Sequence, residues 1–309
     1  MRALTIGIVL FSQFAAPAWA QWNDDAQKCA DTPSPDQALG HCTRAIQSGE
    51  LSEPSLVVTL NNRGNAYQNK GDYARAIQDY DQAIRLNSDS ALIFNNRGSA
   101  HQHRGDYERA IQDYEQAIRL DPTSARAFNN RGRVNHLKEN YAQAIKDYDE
   151  AIELDPDYQL AFYNRALARF DQALFVASVP DFVRAVQLDG TSTYRVLGLY
   201  LAKARGGDVD RESLAASATQ LNLTRWPGPV VGLYLGQITP QALIAAAQDP
   251  DPTTQRERQC EAYFYVGEYH LIQGQRDAAV QMFRAAVATG VTSLFEHSSA
   301  KAELRRLGP

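Results

Sequence analysis

Cysteine is close to missing from this chain, with three in 309 residues. That is too few for a disulfide-dense scaffold, and the odd count leaves at least one thiol single or paired between molecules. Basic charge is not in excess either. Thirty-one Lys and Arg stand against 36 Asp and Glu, a formal net charge of −5, which argues against the clustered basic face of a nucleic-acid binder. Catalytic signatures are missing as well: no G-x-S-x-G, no phosphate-cradling glycine loop and no H-E-x-x-H. The six histidines are His41, His101, His103, His136, His270 and His297. Only His103 and His136 are expected near one another, and no carboxylate stands at ligand spacing beside them. The chain is therefore expected to bind no metal or cofactor and to carry no catalytic residue. With 44% hydrophobic and 22% charged residues, what remains is a soluble globular or repetitive protein, neither disordered nor a membrane bundle.

The N-terminus points to a compartment. Arg2 precedes an apolar run at 3–14, interrupted by Ser12 and Gln13, and then Ala15-Ala16-Pro17-Ala18-Trp19-Ala20. The run is shorter than the ~20 residues that span a bilayer. Ala18 and Ala20 form an A-x-A cleavage pattern, so a signal peptide at 1–20 cut before Gln21 is expected, with a periplasmic mature chain and no integral membrane segment. Cys29 follows polar and charged residues, which is not the setting of a lipid-anchoring cysteine.

What the chain has in abundance is repetition. Asn61-Asn62-Arg63-Gly64 returns as Asn95-Asn96-Arg97-Gly98 and Asn129-Asn130-Arg131-Gly132, each 34 residues on. A second block follows each at 71–86, 105–120 and 140–154, with apolar residues at helical spacing, as in Ala110, Ile111, Tyr114, Ala117 and Ile118. Gly71 and Gly105 suit a helix end, and Asp72 and Asp106 the start of the next helix. Pro122 and Pro156 stop the second helices. Two helices per 34 residues resemble the tetratricopeptide repeat. The matching columns are Gly64/Gly98/Gly132, Ala76/Ala110/Ala144, Tyr80/Tyr114/Tyr148 and Ala83/Ala117/Ala151. The resemblance implies an all-α fold, a right-handed α-solenoid of antiparallel helical hairpins. It divides the chain into a cap hairpin at 21–54, four repeats at 55–192, irregular hairpins at 193–259, and a last repeat with a tail at 260–309. Trp226-Pro227-Gly228-Pro229 marks a corner within the irregular part.

Cys29 and Cys42 fall on the two arms of the cap hairpin, where an oxidising compartment permits a disulfide; two unpaired core thiols are the other reading. Cys260 is then single. Arg63, Arg97, Arg131 and Arg165 each precede an aspartate by 16 residues, Asp79, Asp113, Asp147 and Asp181. That fixed offset predicts an interhelical ion pair in every repeat, in preference to an arginine ladder for an anionic ligand. The concave face of the first helices is expected to bind a protein or peptide. Its groove residues are Asn61, Asn65, Asn95, Asn96, Arg126, Asn129 and Arg133, with Tyr163 and Phe170 as aromatic anchors. Asn65, Asn96 and Arg126 fit the two-carboxylate clamp of chaperone-tail-binding relatives, whereas Asn61 and Asn130 stand where a cation is expected.

A signal peptide ahead of Asn-Arg-Gly repeats, with the proline corner and a final hairpin at 260–293, resembles exported bacterial repeat proteins of the new lipoprotein I type. This implies a non-enzymatic periplasmic adaptor in cell-envelope complexes with a peptidoglycan hydrolase or protease, without the lipid anchor and with a homodimer possible. The alternatives are a hydrolase or transferase accessory with a site in 193–248, where Asp208, Asp210, Arg211, Glu212 and Arg225 lie, or a purely structural homodimer.

Overall fold

The computed structural model describes residues 24–308; the expected signal peptide and its cleavage point lie outside the described residues. Within them the chain forms seventeen α-helices and no strand. It divides into two compact units, one up to Ile93 and one from Phe94.

The first unit holds α1 (Asp24–Asp31), α2 (Pro35–Gln47), α3 (Glu53–Asn69) and α4 (Tyr73–Leu86). Ala26, Cys29, Ala38, Cys42 and Ala45 form the buried seam of the cap hairpin, and a Cys29–Cys42 disulfide closes it. Cross-linking residues separated by 13 positions stabilises the fold by about 3 kcal/mol in the chain-entropy picture. Helix α3 opens on Ser52, whose hydroxyl accepts from Ser55 N, with Pro54 in the first turn where a missing N–H costs little. Asp72 caps α4 by accepting from Arg75 N at 3.1 Å.

Helix α5 (Ala91–His103) carries the unit boundary. Beyond it run α6 (Tyr107–Leu120), α7 (Ala125–Leu137), α8 (Tyr141–Leu154), α9 (Gln159–Asp171) and α10 (Phe175–Leu188), the helices of the clear repeats. The irregular stretch is α11 (Thr193–Arg205), α12 (Arg211–Ala218), α13 (Gly228–Tyr234) and α14 (Pro240–Ala246). Helices α15 (Pro252–Ile272), α16 (Arg276–Ala288) and α17 (Phe295–Leu307) finish the chain. The largest core lies in this second half, around Phe182, Leu197, Leu233, Tyr234, Leu243 and Phe283. Cys260 is a buried free thiol there, and burial pushes its pKa up to about 12, so it behaves as a small apolar group.

Close approach explains the repeated glycine. A Cβ on Gly64, Gly98 or Gly132 would come within 2.6, 2.9 or 2.8 Å of the Tyr80, Tyr114 or Tyr148 ring, respectively. In the fourth copy Ala166 replaces the glycine, and Phe182 packs instead on Gly198 of α11, where a Cβ would meet the ring at 2.5 Å. The turn between the two helices is equally regular. Gly71 and Gly105 sit at φ +75° and +80°, and the following N–H reaches back to close the helix, as in Asp106 N to His101 O at 2.9 Å. Repeats three and four keep the left-handed backbone without the glycine, at Glu139 (φ 64°) and Ala173 (φ 62°).

The segment after the last hairpin, expected as a tail, is helix α17. Its Ser298, Ser299, Ala300 and Ala302 are buried. These small residues let it pack against α9, α15 and α16.

Candidate partner-binding cleft

The predicted ion pairs are all present and bidentate. Arg63 Nε and Nη2 reach Asp79 at 2.8 and 2.7 Å, and Arg97 reaches Asp113 at 2.9 and 2.6 Å. Arg131 reaches Asp147 at 3.1 and 2.8 Å, and Arg165 reaches Asp181 at 2.9 and 2.7 Å. The aspartates are buried. Phe94, Phe128 and Phe162, three residues before their arginines, carry the guanidinium over the ring at 5.4, 5.5 and 5.7 Å. Each of these arginines therefore serves the packing of its own hairpin, and Arg165 also reaches Asp149 of α8 at 2.6 Å.

The paired asparagines also serve the scaffold. In the second unit, Asn130 Nδ2 donates to Asn95 Oδ1 at 3.0 Å, and Asn164 Nδ2 donates to Asn129 Oδ1 at 2.9 Å. The first asparagine of one repeat thus bonds the second asparagine of the next, and all but Asn130 are buried. Asn96 Oδ1 accepts from Arg126 Nη2 at 3.4 Å. In the first unit, Asn65 Oδ1 accepts from the Tyr80 hydroxyl at 2.7 Å. Asn61 borders a groove of about 470 Å³ there, with Val57, Val58 and Leu92.

The second unit holds an open cleft of about 380 Å³. Helix α7 supplies Asn129, Asn130 and Arg133, α9 supplies Leu160, Tyr163 and Asn164, and α11 supplies Tyr194 and Arg195. Glu261 of α15 and Phe295 and Glu296 of α17 complete the wall. Arg133 Nε and Arg195 Nε are buried without a protein partner, although Arg195 also bonds Asp189 and Arg133 Nη2 donates to Ser293 O at 3.4 Å. Glu261 accepts from the Tyr194 hydroxyl at 2.9 Å and from Trp226 Nε1 at 2.6 Å. Burial, aided by the neighbouring Glu296 carboxylate, pushes the Glu261 pKa up to about 8 against those two donors. Burial raises Glu296 as well. At neutral pH the wall is thus rich in donors: two guanidinium groups, side-chain amides, tyrosines and a protonated carboxyl.

Of the expected groove residues, Asn129, Arg133 and Tyr163 line this cleft, and the structure adds Tyr194, Arg195, Glu261 and Glu296. Phe170 does not line it. It is 2% exposed and stacks edge-on against Phe175 at 4.9 Å. Glu261 announced itself in the sequence as a carboxylate inside the apolar run Cys260-Glu261-Ala262-Tyr263-Phe264, whereas Tyr194 and Arg195 carried no such signal. His136 is fully buried, 2.7 Å from Asp171 Oδ2, and burial lowers His103 to about 4, with Arg133 adding to the effect. Among the described residues no group of three metal-ligating side chains occurs, and no helix is long and apolar enough to cross a membrane. Asp210, in the stretch considered for a second site, caps α12 by accepting from Ser213 N at 2.9 Å.

Residues 61–125 and 96–159 match the tetratricopeptide repeat family model. The solved structure of PilF of Pseudomonas aeruginosa is similar at 21% identity, over 69% of this chain and 92% of that one, with a TM-score of 0.54. MamA from residue 41 onward, of Desulfovibrio magneticus RS-1, is 21% identical over 54% of this chain and 96% of its own, at a TM-score of 0.47. The second repeat domain of human RPAP3, solved in complex with an HSP70 peptide, is 28% identical over 38% of this chain and 98% of its own, at a TM-score of 0.37. Residues 61–159 are accordingly a run of tetratricopeptide repeats, and the described residues have an all-α fold of helical hairpins.

Proposed function

We propose that this chain is a non-enzymatic adaptor that holds an extended segment of a partner protein in the cleft between α7, α9, α11 and α15. Tetratricopeptide repeats are protein–protein interaction scaffolds, and the cleft carries the reading to this chain. Its unpartnered Arg133 and Arg195 Nε–H groups and its amides suit main-chain carbonyls, which every extended segment offers at regular spacing. Tyr163 and Tyr194 give an aromatic floor on which an apolar side chain gains most. An exported, periplasmic location is part of the proposal. The Cys29–Cys42 disulfide supports it, because such bonds persist in oxidising compartments. A role in envelope complexes with a hydrolase or protease is part of the same proposal.

A photo-crosslinking side chain at Leu160, an exposed cleft residue, tests this. The same group at Val176, 72% exposed and outside the cleft, serves as control. The expected result is a protein adduct from envelope extract at position 160 and not at 176. Equal labelling at both positions, or none at 160, overturns the reading.

A further inference from the structure

One wall of this cleft is lent by the loop that enters α17 and by the first turn of that helix. Thr292 O accepts from the Tyr107 hydroxyl at 2.8 Å, and Ser293 O accepts from Arg133 Nη2 at 3.4 Å. Two residues on, the Phe295 ring lies 5.4 Å from the Arg133 guanidinium and 4.6 Å from the His136 ring, tilted by 37°. The ring also borders an apolar void of about 20 Å³, lined among others by Tyr163, Leu167, Phe170 and Phe264. Phe295 stays half-buried while residues 296–300 behind it are buried. These are the contacts an incoming extended segment would make: two carbonyls on donors and an aromatic side chain in the pocket beyond. The pocket is not full, and the loop ahead of the ring turns at Gly290 (φ 70°), whereas α17 is anchored further along by the Arg205–Glu303 pair. The loop at 292–294 and the first residue of α17 thus lie ahead of the anchored part of the helix.

We infer that residues 292–295 are an internal stand-in for the partner. The partner segment that this cleft takes is an extended one whose Phe, Tyr or Trp follows two exposed main-chain carbonyls, and it binds by displacing Phe295. This rests on the adaptor reading and adds the class of partner to it. A tethered occupant acts at an effective concentration in the millimolar range, so the apparent affinity of any competitor falls to its intrinsic value multiplied by the fraction of time the site stands open.

The probe is a labelled synthetic peptide with the sequence of residues 290–300, together with the same peptide carrying alanine in place of its phenylalanine. Both are titrated into the full chain, into Phe295→Ala and into Phe295→Ala/Arg133→Ala. The phenylalanine peptide should bind Phe295→Ala at least ~10-fold more tightly than wild type. The alanine peptide should show no such gain, and Arg133→Ala should reverse it. Equal affinity for wild type and Phe295→Ala, equal binding of the two peptides, or no binding to a folded Phe295→Ala overturns the inference. Circular dichroism checks the fold of the variant. If Phe295→Ala does not fold, hydrogen exchange of the wild-type chain decides: saturating phenylalanine peptide should accelerate exchange at 292–296, and unchanged exchange with peptide bound refutes displacement. A partner cross-linked at Leu160 that leaves exchange at 292–296 unchanged removes this inference and leaves the adaptor standing. Peptide exchange with no recoverable partner does the reverse.

Discussion

Arg97 grips Asp113 with two parallel hydrogen bonds, Nε to Oδ2 at 2.9 Å and Nη2 to Oδ1 at 2.6 Å, across the two helices of one hairpin. The arginine side chain is 21% exposed and the aspartate 6%, so the carboxylate depends on its partner for its solvation. Arg97→Leu should cost about 3 kcal/mol by stranding that charge, and Arg97→Leu with Asp113→Leu should recover part of the loss. A double-mutant cycle in urea measures the coupling, with multistate unfolding watched for. Strictly additive losses would show that the pair is not a unit.

Ala173 keeps a left-handed backbone, φ 62°, at the position where Gly71 and Gly105 stand in earlier repeats. A side chain there costs roughly 1–2 kcal/mol, offset partly by the lower entropy of alanine in the unfolded chain. Ala173→Gly should therefore stabilise the fold by about 0.5–1 kcal/mol, seen as a higher urea midpoint at unchanged slope. Gly105→Ala, at φ 80°, should lower it. A drop in the midpoint for Ala173→Gly would mean that the turn holds no strain to relieve.

Glu261 makes stability depend on pH in a definite direction. Its carboxyl is raised to about 8 by burial and by the Glu296 charge, so the folded state holds this proton more tightly than the unfolded chain does. The associated stability is fully present below the ordinary carboxyl range and is lost as pH rises towards about 8. Glu261→Gln keeps an acceptor for Trp226 and Tyr194 and cannot ionise. It should match wild type near pH 4.5 and exceed it by on the order of 1–3 kcal/mol near pH 8. Chemical denaturation at the two pH values checks this, and a difference that shrinks with rising pH contradicts it.

The repeat itself was open to reading because each unit is locally determined. A glycine that admits a tyrosine ring 16 residues later, as Gly132 admits Tyr148, and an arginine with its aspartate at the same offset leave a period of 34 in the sequence. The cleft was only half legible. Arg133 and Tyr163 lie on repeat positions, so the period singles them out. Arg195 and Glu296 come from helices 101 positions apart in the chain, brought together by packing that no period records. The bonds between the asparagines are hidden in the sequence for a related reason. Their partners lie 35 residues away, one more than the period, so Asn95 and Asn129 look like free surface until the next helix is in place. Helix α17 hid in plain view, because small residues and serines read as a tail unless a groove is there to receive them.

Arg205 holds that helix in place, and its removal makes the last test. Its guanidinium reaches Glu268 Oε2 at 2.6 Å and Glu303 at 2.9 and 3.2 Å, and stands 4.5 Å over the Phe175 ring. Arg306 pairs with Glu303 too and donates to Asp171 O at 2.7 Å, tying α17 to the end of α9. Both glutamate side chains are almost without exposure, at 0% and 2%. Burial and the Glu303 charge hold Glu268 up at about 8 even with the arginine present. Arg205→Met keeps the apolar stem and removes the charge, which leaves two carboxyls facing each other in the interior. The expected loss is about 3–5 kcal/mol, largest at high pH, where Glu268 loses its proton. Arg205→Lys should recover only part of it, because a single ammonium cannot reproduce the fork that spans both partners. Hydrogen exchange localises the effect: α17 should lose protection in Arg205→Met at pH 8 while α7 and α8 keep theirs. If protection of α17 is unaltered, Arg205 does not hold the helix, and its small-residue packing and Arg306 suffice.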